Sequence, residues 1–131
     1  MNGRVKYVLD STALIALIGS EPGSDKIAAV LDQSTMSAVN FTETIHKLVQ
    51  RGSDPSTVER LLAQLQINIT DWTEDLSYRS ADFAALGRSH GLSLGDRACL
   101  TLAKFLHATA VTSDRAWREA SHLGVRIEIF R

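Results

Sequence analysis

The stretch VKYVLDSTALIALI, residues 5–18, predicts a strand that runs directly into a helix. Residues 5–9 include two valines and a tyrosine, which are typical of a short buried strand. Residues 11–18 continue as an apolar helix. Asp10 stands at the junction. A carboxylate at this place could cap the helix, attack a phosphate as a nucleophile, or bind a metal ion.

The same alternation of strands and helices continues along the rest of the chain. Further strands are predicted at residues 36–39, 67–70, 110–113 and 125–129. Helices are predicted between them, among them one capped by Asn40 and one continuous helix over residues 73–91. Strands separated by helices pair in parallel. We therefore expect an α/β fold, a three-layer α/β/α sandwich with a central, mainly parallel sheet, and we assign residues 1–131 to this single domain.

The composition narrows the classes of protein. Hydrophobic residues make up 44% of the chain, charged residues 22%, and the net charge of −1 gives no global positive field for nucleic acid. The single cysteine, Cys99, excludes an internal disulfide and suits a reducing cytoplasm. The apolar run at residues 13–18 is far shorter than the roughly 20 residues of a membrane span. We therefore predict a cytoplasmic protein without a secretion signal or a membrane partner.

Acidic residues are predicted to meet at one edge of this sheet. Asp10 and Asp114 each follow a predicted strand, whereas Glu43 and Asp96 lie in the first turns of predicted helices. Strand carboxyl ends and helix N-termini share the edge at which parallel sheets usually bind ligands. Clustered carboxylates repel one another unless a cation binds them. Oxygen ligands without histidine or cysteine favour Mg²⁺ or Mn²⁺.

Each of these acids also has a purely structural interpretation. Asp10 and Asp114 could cap the helices that follow them, and the segment 40–43 resembles a capping box that would account for Glu43. Asp96 is harder to explain in this way, because the residues three, four and seven positions further along are Cys99, Leu100 and Ala103 and form an apolar face. A carboxylate that borders such a face without a partner is costly.

Other residues near this edge leave further alternatives. Three arginines could bind phosphate or form exposed ion pairs: Arg97, Arg115 and Arg118. The segment 43–46 matches the Glu-x-x-His pattern of dinuclear iron proteins, but such a site needs two copies and the chain has one. A phosphotransferase with an aspartate nucleophile after its first strand would carry a second aspartate where this chain has Thr12.

Four segments together match the motifs of a known family. They are VLDSTALIAL (8–17), SAVNFTET (37–44), GLSLGDRACLTLA (91–103) and AVTSDRAW (110–117). Their order and spread resemble the PIN-domain ribonucleases, specifically the VapC toxins of type II toxin–antitoxin pairs. The resemblance implies a catalytic quartet and a supporting hydroxyl residue. The quartet is Asp10, Glu43, Asp96 and Asp114; Asp10, Asp96 and Asp114 are ligands of Mg²⁺ or Mn²⁺, and Thr112 or Ser113 supports Asp10.

The resemblance also implies an activity and partners. The protein would be an endoribonuclease that hydrolyses transfer or ribosomal RNA with metal-activated water and leaves 5′-phosphate and 3′-hydroxyl ends. It would form a homodimer that a VapB-type antitoxin inhibits, in a larger assembly that contacts DNA only through the antitoxin. Some relatives carry a further aspartate soon after the fourth acid, where this chain offers only Glu119, so one or two metal ions remain possible. The alternative is a PIN-like module that binds RNA or a partner and cuts poorly.

Overall fold

The chain forms a five-stranded sheet in the computed structural model, which describes residues 4–131; residues 1–3 of the predicted domain lie outside the described residues. The strands are β1 (Tyr7–Leu9), β2 (Ser34–Ser37), β3 (Asn68–Thr70), β4 (Thr109–Thr112) and β5 (Arg126–Ile129). They lie in the order β3-β2-β1-β4-β5, and each neighbouring pair is parallel. The prediction of a parallel sheet is confirmed.

Helices connect these strands. The α-helices of the described residues are α1 (Ser11–Gly19), α2 (Ser24–Val30), α3 (Ala38–Gln50), α4 (Pro55–Leu65), α5 (Glu74–Arg79), α6 (Ala85–Ser89) and α7 (Leu94–Leu106). Short 3-10 helices occupy residues 31–33, 80–83 and 115–123. Within residues 4–131, no helix combines the length and the apolar character that crossing a membrane would require.

The sheet separates two apolar cores. Val8 and Leu9 are neighbours in β1 and both are fully buried, but they belong to different cores because successive strand residues point to opposite faces. The core of Val8 includes residues of α5 and α7 together with Trp117. The core of Leu9 includes residues of α1, α3 and α4. This is the predicted three-layer α/β/α sandwich.

The second strand and the helix after it begin earlier than predicted. Strand β2 ends at Ser37 instead of residue 39, and α3 starts at Ala38. Ser37 caps α3, because its Oγ accepts a hydrogen bond from the backbone N–H of Asn40 at 3.1 Å. The predicted N-cap at Asn40, and with it the capping box that includes Glu43, is therefore wrong. Asn40 lies inside the first turn, where its side chain is available for tertiary contacts.

The continuous helix predicted over residues 73–91 is wrong as well. This segment divides into α5, the 3-10 helix 80–83 and α6. Ser80 Oγ donates to the carbonyl oxygen of Ser77 at 2.7 Å, and side-chain bonds of this kind compete with a regular helix. The shortened turns allow three separated side chains to reach the same core: Leu76, Phe83 and Leu86.

Residues 115–123 form a 3-10 helix. Trp117 and Ala120 are fully buried, and the half-buried Leu123 packs against the same core. These residues are three positions apart, which is one turn of a 3-10 helix and keeps all three on one face. Packing against the sheet therefore explains the tighter helix.

Candidate functional site

Asp10 lies at the carboxyl edge of the sheet, between β1 and β4. The strand order reverses here, since β2 and β3 follow on one side of β1 and β5 follows β4 on the other. Open α/β sheets bind ligands in the crevice at such a reversal. Asp10 is only 2% exposed. A buried carboxylate at this place is the first indication of a functional site.

Hydrogen bonds hold the Asp10 carboxylate in one orientation. Oδ1 accepts from the backbone N–H of Ala13 at 3.0 Å, which caps α1, and from Thr12 Oγ1 at 2.7 Å. Oδ2 accepts from Thr112 Oγ1 at 2.6 Å. Of the two hydroxyl residues expected to support Asp10, Thr112 makes the contact. Ser113 takes part through its backbone N–H, which donates to Thr12 Oγ1 at 3.1 Å.

The charge on Asp10 is not neutralised by an ion pair within the described part of the chain. Burial raises the pKa of Asp10 to about 6, although the hydrogen bonds from Thr112, Thr12 and Ala13 oppose this rise; repulsion from Asp96 adds to it. Among residues 4–131, no lysine, arginine or histidine forms an ion pair with Asp10. A cation bound here would therefore stabilise the ionised carboxylate.

Asp96 is a capping residue as well as an acid of this edge. Its Oδ2 accepts from the backbone N–H of Ser93 at 2.9 Å, and Ser93 Oγ accepts from the backbone N–H of Asp96 at 3.1 Å, a reciprocal capping box at the start of α7. The sequence interpretation overlooked this box and placed one at residues 40–43 instead. The negative charge of Asp96 raises the pKa of both Asp10 and Glu43, so these three acids form one electrostatic cluster.

Glu43 is positioned by a buried asparagine. Asn40 Nδ2 donates to Glu43 Oε1 at 3.1 Å and to the carbonyl oxygen of Gly95 at 2.9 Å. Asn40 Oδ1 in turn accepts from Ser37 Oγ at 2.6 Å. Asn40 therefore joins the first turn of α3 to the first turn of α7, which carries Asp96. From the sequence, Asn40 was predicted only as a helix cap. Its contact with Glu43 depends on the earlier start of α3, at Ala38, which places Asn40 inside a buried first turn.

The ionisation of Glu43 reflects the same surroundings. Burial raises its pKa, and repulsion from Asp96 acts in the same direction. The hydrogen bond from Asn40 and the positive charge of Lys47, one turn further along α3, lower it. The spacing of Glu43 and Lys47, four residues apart on one helix, is visible in the sequence, but the sequence interpretation did not use it.

Gly95 provides the space that the Glu43 carboxylate occupies. A Cβ atom at Gly95 would overlap the carboxylate of Glu43. We expect Gly95→Ala to be less stable than the same change elsewhere in a helix by about 0.5–1.5 kcal/mol, because the flexible end of the Glu43 side chain must swing aside and gives up its bond from Asn40. Thermal unfolding measures the effect. Gly19→Ala is the control, because the atoms nearest to its new methyl group belong to the side chain of Glu21 and lie 3.3 Å away or more. A Gly95→Ala protein that melts as high as this control would contradict the proposed packing.

Asp114 is more exposed than the other three acids. It is exposed, and its Oδ1 accepts from the backbone N–H of Ala116 at 3.0 Å, so it caps the 3-10 helix 115–123. Its own backbone N–H donates to Thr112 Oγ1 at 3.1 Å. Thr112 thus connects the segment of Asp114 to the carboxylate of Asp10. Asp114 stands at the rim of the site, whereas Asp10 is buried.

The predicted phosphate-binding arginines lie near the acids in sequence but differ in environment. Arg97 is half-buried, and its Nε donates to the carbonyl oxygen of Ser93 at 3.2 Å. Arg115 and Arg118 are exposed. None of the three forms an ion pair with another residue of the described chain. Their charges are therefore not neutralised within residues 4–131.

The donor atoms at this edge suit a hard cation. Within the part of the chain that the structure describes, no three Asp, Glu, His or Cys side chains are arranged so that they could hold a metal ion together. Mg²⁺, however, usually keeps several water molecules and binds through one or two carboxylates and the phosphates of a substrate. Asp10 and Asp96 offer two carboxylates for such binding, and Glu43 lies beside them. The residues therefore fit a cation held by two carboxylates and water, not a cage of three carboxylates.

Comparison with known proteins identifies the architecture. A family model described as PIN domain matches residues 7–123. Among curated proteins, none matches this sequence.

Solved structures show the same fold. VapBC2 from Rickettsia felis, bound to a DNA fragment from its promoter, is 14% identical with a TM-score of 0.72 over 95% of this chain and 98% of that one. VapBC-1 from nontypeable Haemophilus influenzae is 17% identical with a TM-score of 0.71, covering 96% and 98%. DNA-bound VapBC from Salmonella typhimurium is 17% identical with a TM-score of 0.72, covering 97% and 99%. At such low identity these similarities show the fold alone.

Proposed function

The chain belongs to the PIN-domain family, and from this premise we propose that it is a metal-dependent endoribonuclease, the VapC-type toxin of a toxin–antitoxin pair. PIN domains are generally nucleases. The observation that carries the proposal is Asp10, a buried carboxylate at the sheet reversal that has no ion-pair partner within residues 4–131 and whose pKa the nearby Asp96 raises further. Binding of a divalent cation would stabilise the ionised form of such a carboxylate.

Roles are proposed for each residue of the site. Asp10 and Asp96 are the direct ligands of Mg²⁺ or Mn²⁺, and Asp114, at the rim, contributes to metal binding through water. Glu43 acts on water, and the hydroxyl of Thr112, with the backbone of Ser113 beside it, keeps Asp10 in place. Three arginines bind the phosphates of the substrate: Arg97, Arg115 and Arg118.

The chemistry follows from what these side chains can do. When bound, the cation supplies a Lewis acid that offsets phosphate charge and makes water a better nucleophile at neutral pH. Glu43, whose pKa is raised and whose Oε1 is held by Asn40, accepts the proton of the attacking water. Attack on phosphorus in line with the leaving group expels the 3′ oxygen of the preceding nucleotide. The products carry 5′-phosphate and 3′-hydroxyl ends, and the RNA 2′-hydroxyl takes no part.

Partners follow from the same proposal. The structures to which this chain is similar include VapBC complexes, two of them with DNA. We propose that a VapB-type antitoxin blocks the acidic edge, that the toxin forms a homodimer, and that DNA is contacted only by the antitoxin. The protein acts in the cytoplasm as a single PIN domain.

Incubation of purified protein with transfer RNA or ribosomal RNA fragments tests the activity. We expect defined cleavage in Mn²⁺ or Mg²⁺, none in excess EDTA, and fragments that a 5′-phosphate-dependent exonuclease degrades. Fragments with 2′,3′-cyclic phosphate ends would contradict the water mechanism. Binding of RNA without any cleavage in either metal would instead indicate the alternative, a PIN-like module that binds RNA or a partner.

A further inference from the structure

Lys47 reaches the acidic edge from the last turn of α3. Its Nζ donates to Ser11 Oγ at 3.0 Å. Ser11 is the first residue of α1, directly after Asp10, and is only 5% exposed. Lys47 also lies one helical turn after Glu43 and lowers the pKa of that carboxyl group. The ammonium group is therefore held between the segments that carry two of the acids.

A lysine in this position is unlike an ordinary surface lysine. Its side chain is half-buried and ends on a buried hydroxyl group, so its charged end is fixed rather than solvated at random. Among residues 4–131, no carboxylate lies within ion-pair distance of it. An ammonium group has three hydrogens, and the contact with Ser11 uses one of them. Two hydrogens remain for a ligand with negatively charged oxygen atoms.

A fixed positive charge such as the Lys47 ammonium group would favour RNA binding at the acidic edge. Asp10, Glu43 and Asp96 would repel the RNA backbone, and the chain as a whole carries a net charge of −1. A fixed positive charge beside the acids offers the phosphate a favourable position next to them. Lysine binds phosphate as a point charge and does not require the planar geometry of arginine.

We propose that Lys47 is a phosphate-binding residue of this site, which takes an oxygen of an RNA phosphate while Ser11 holds its ammonium group in place. This inference rests on the proposed function, because it assumes that RNA enters the acidic edge. It assigns to Lys47 a role in binding the substrate backbone and none in binding the metal.

Binding of a fluorescein-labelled single-stranded RNA oligonucleotide, measured by anisotropy between 50 and 200 mM salt, tests the proposal. EDTA or Ca²⁺ replaces the catalytic metal so that the RNA stays intact. Lys47→Met keeps the aliphatic stem and removes the charge. We expect it to weaken binding by about threefold to tenfold and to reduce the slope of log K against log salt by about 0.7, the value for one lost phosphate contact on a single strand. Lys47→Arg should restore the slope.

Control variants show whether a loss of RNA binding comes from the lost charge or from a loss of stability. Lys104→Met makes the same substitution in the last turn of α7, at the opposite end of the helix from Asp96, and should bind RNA as the wild type does. Thermal unfolding verifies that each variant is folded. If Lys47→Met does not fold, Ser11→Ala, which removes the anchoring hydroxyl, should still weaken RNA binding by about twofold.

Two results would overturn the inference. The first is a folded Lys47→Met protein with wild-type affinity and salt dependence. The second is a Lys47→Met protein that binds RNA with the affinity of the wild type but binds Mn²⁺ more tightly, which would identify Lys47 as an internal counter-ion of Glu43. A wild-type protein that binds no RNA in either EDTA or Ca²⁺ contradicts the proposed function itself, so the two failures are distinguishable.

Discussion

Replacement of Asp10 by asparagine is expected to reduce RNA cleavage in Mn²⁺ by about a thousandfold or more. The amide keeps the size of the side chain and an oxygen that can accept the capping hydrogen bond from Ala13, but it removes the charge that would bind the cation. A catalytic metal stabilises the transition state by several kcal/mol, which corresponds to a rate change of this size. Initial rates of cleavage of end-labelled RNA measure the loss.

Asp32→Asn is the matched control for this experiment. Asp32 is an exposed carboxylate in the 3-10 helix 31–33, which precedes β2 and so lies towards the opposite edge of the sheet. Its replacement should leave the cleavage rate unchanged. Cleavage by Asp10→Asn within tenfold of the wild type would contradict the assignment of Asp10 as a metal ligand.

The same substitution is expected to stabilise the protein when metal is absent. The pKa of Asp10 rises from 3.8 to about 6 on folding, so the folded protein binds this proton more tightly than the unfolded chain does. Asp10 therefore contributes no penalty below pH 3.8; the penalty grows as the pH rises to about 6 and remains constant above it. Its full size is about 3 kcal/mol at most.

Thermal unfolding in EDTA as a function of pH measures this penalty. At pH 8, Asp10→Asn should melt above the wild type by roughly 5 °C, and the difference should disappear as the pH falls towards 4. Saturating Mn²⁺ should narrow the difference, because free metal at a hundred times the wild-type Kd stabilises the wild type by about 2.7 kcal/mol and the weaker-binding variant by less. If Asp10→Asn melted well below the wild type in EDTA at pH 8, the ionised carboxylate would stabilise the fold, and the expected penalty would be contradicted.

The three layers of the fold were predictable because the sequence signals for each strand and helix lie within that segment. Each short apolar strand is followed by a helix with its own start and stop residues, and a chain built in this way pairs its strands in parallel. β3–β5 accordingly lie within one residue of their predicted positions, and β1 lies within two. The convergence of Asp10 and Asp96 at one edge follows from this topology, since strand ends and helix starts meet there.

Contacts between distant segments were not predictable in the same way. Ser37 ends β2 and also caps α3, and only the packed structure shows that Asn40 then turns towards Gly95 rather than capping the helix itself. The contact from Lys47 to Ser11 joins residues that lie 36 positions apart. Helical periodicity also failed where the core required the tighter turn at 80–83.

The central claim is that the carboxylates around Asp10 bind a divalent cation, and titration of Mn²⁺ into the protein by isothermal calorimetry at pH 7.5 tests it most directly. We predict saturable binding to the wild type and to Asp32→Asn, and binding at least tenfold weaker to Asp10→Asn and to Asp96→Asn. If the wild type bound no Mn²⁺, or if Asp10→Asn bound it as tightly as the wild type, the claim would be contradicted.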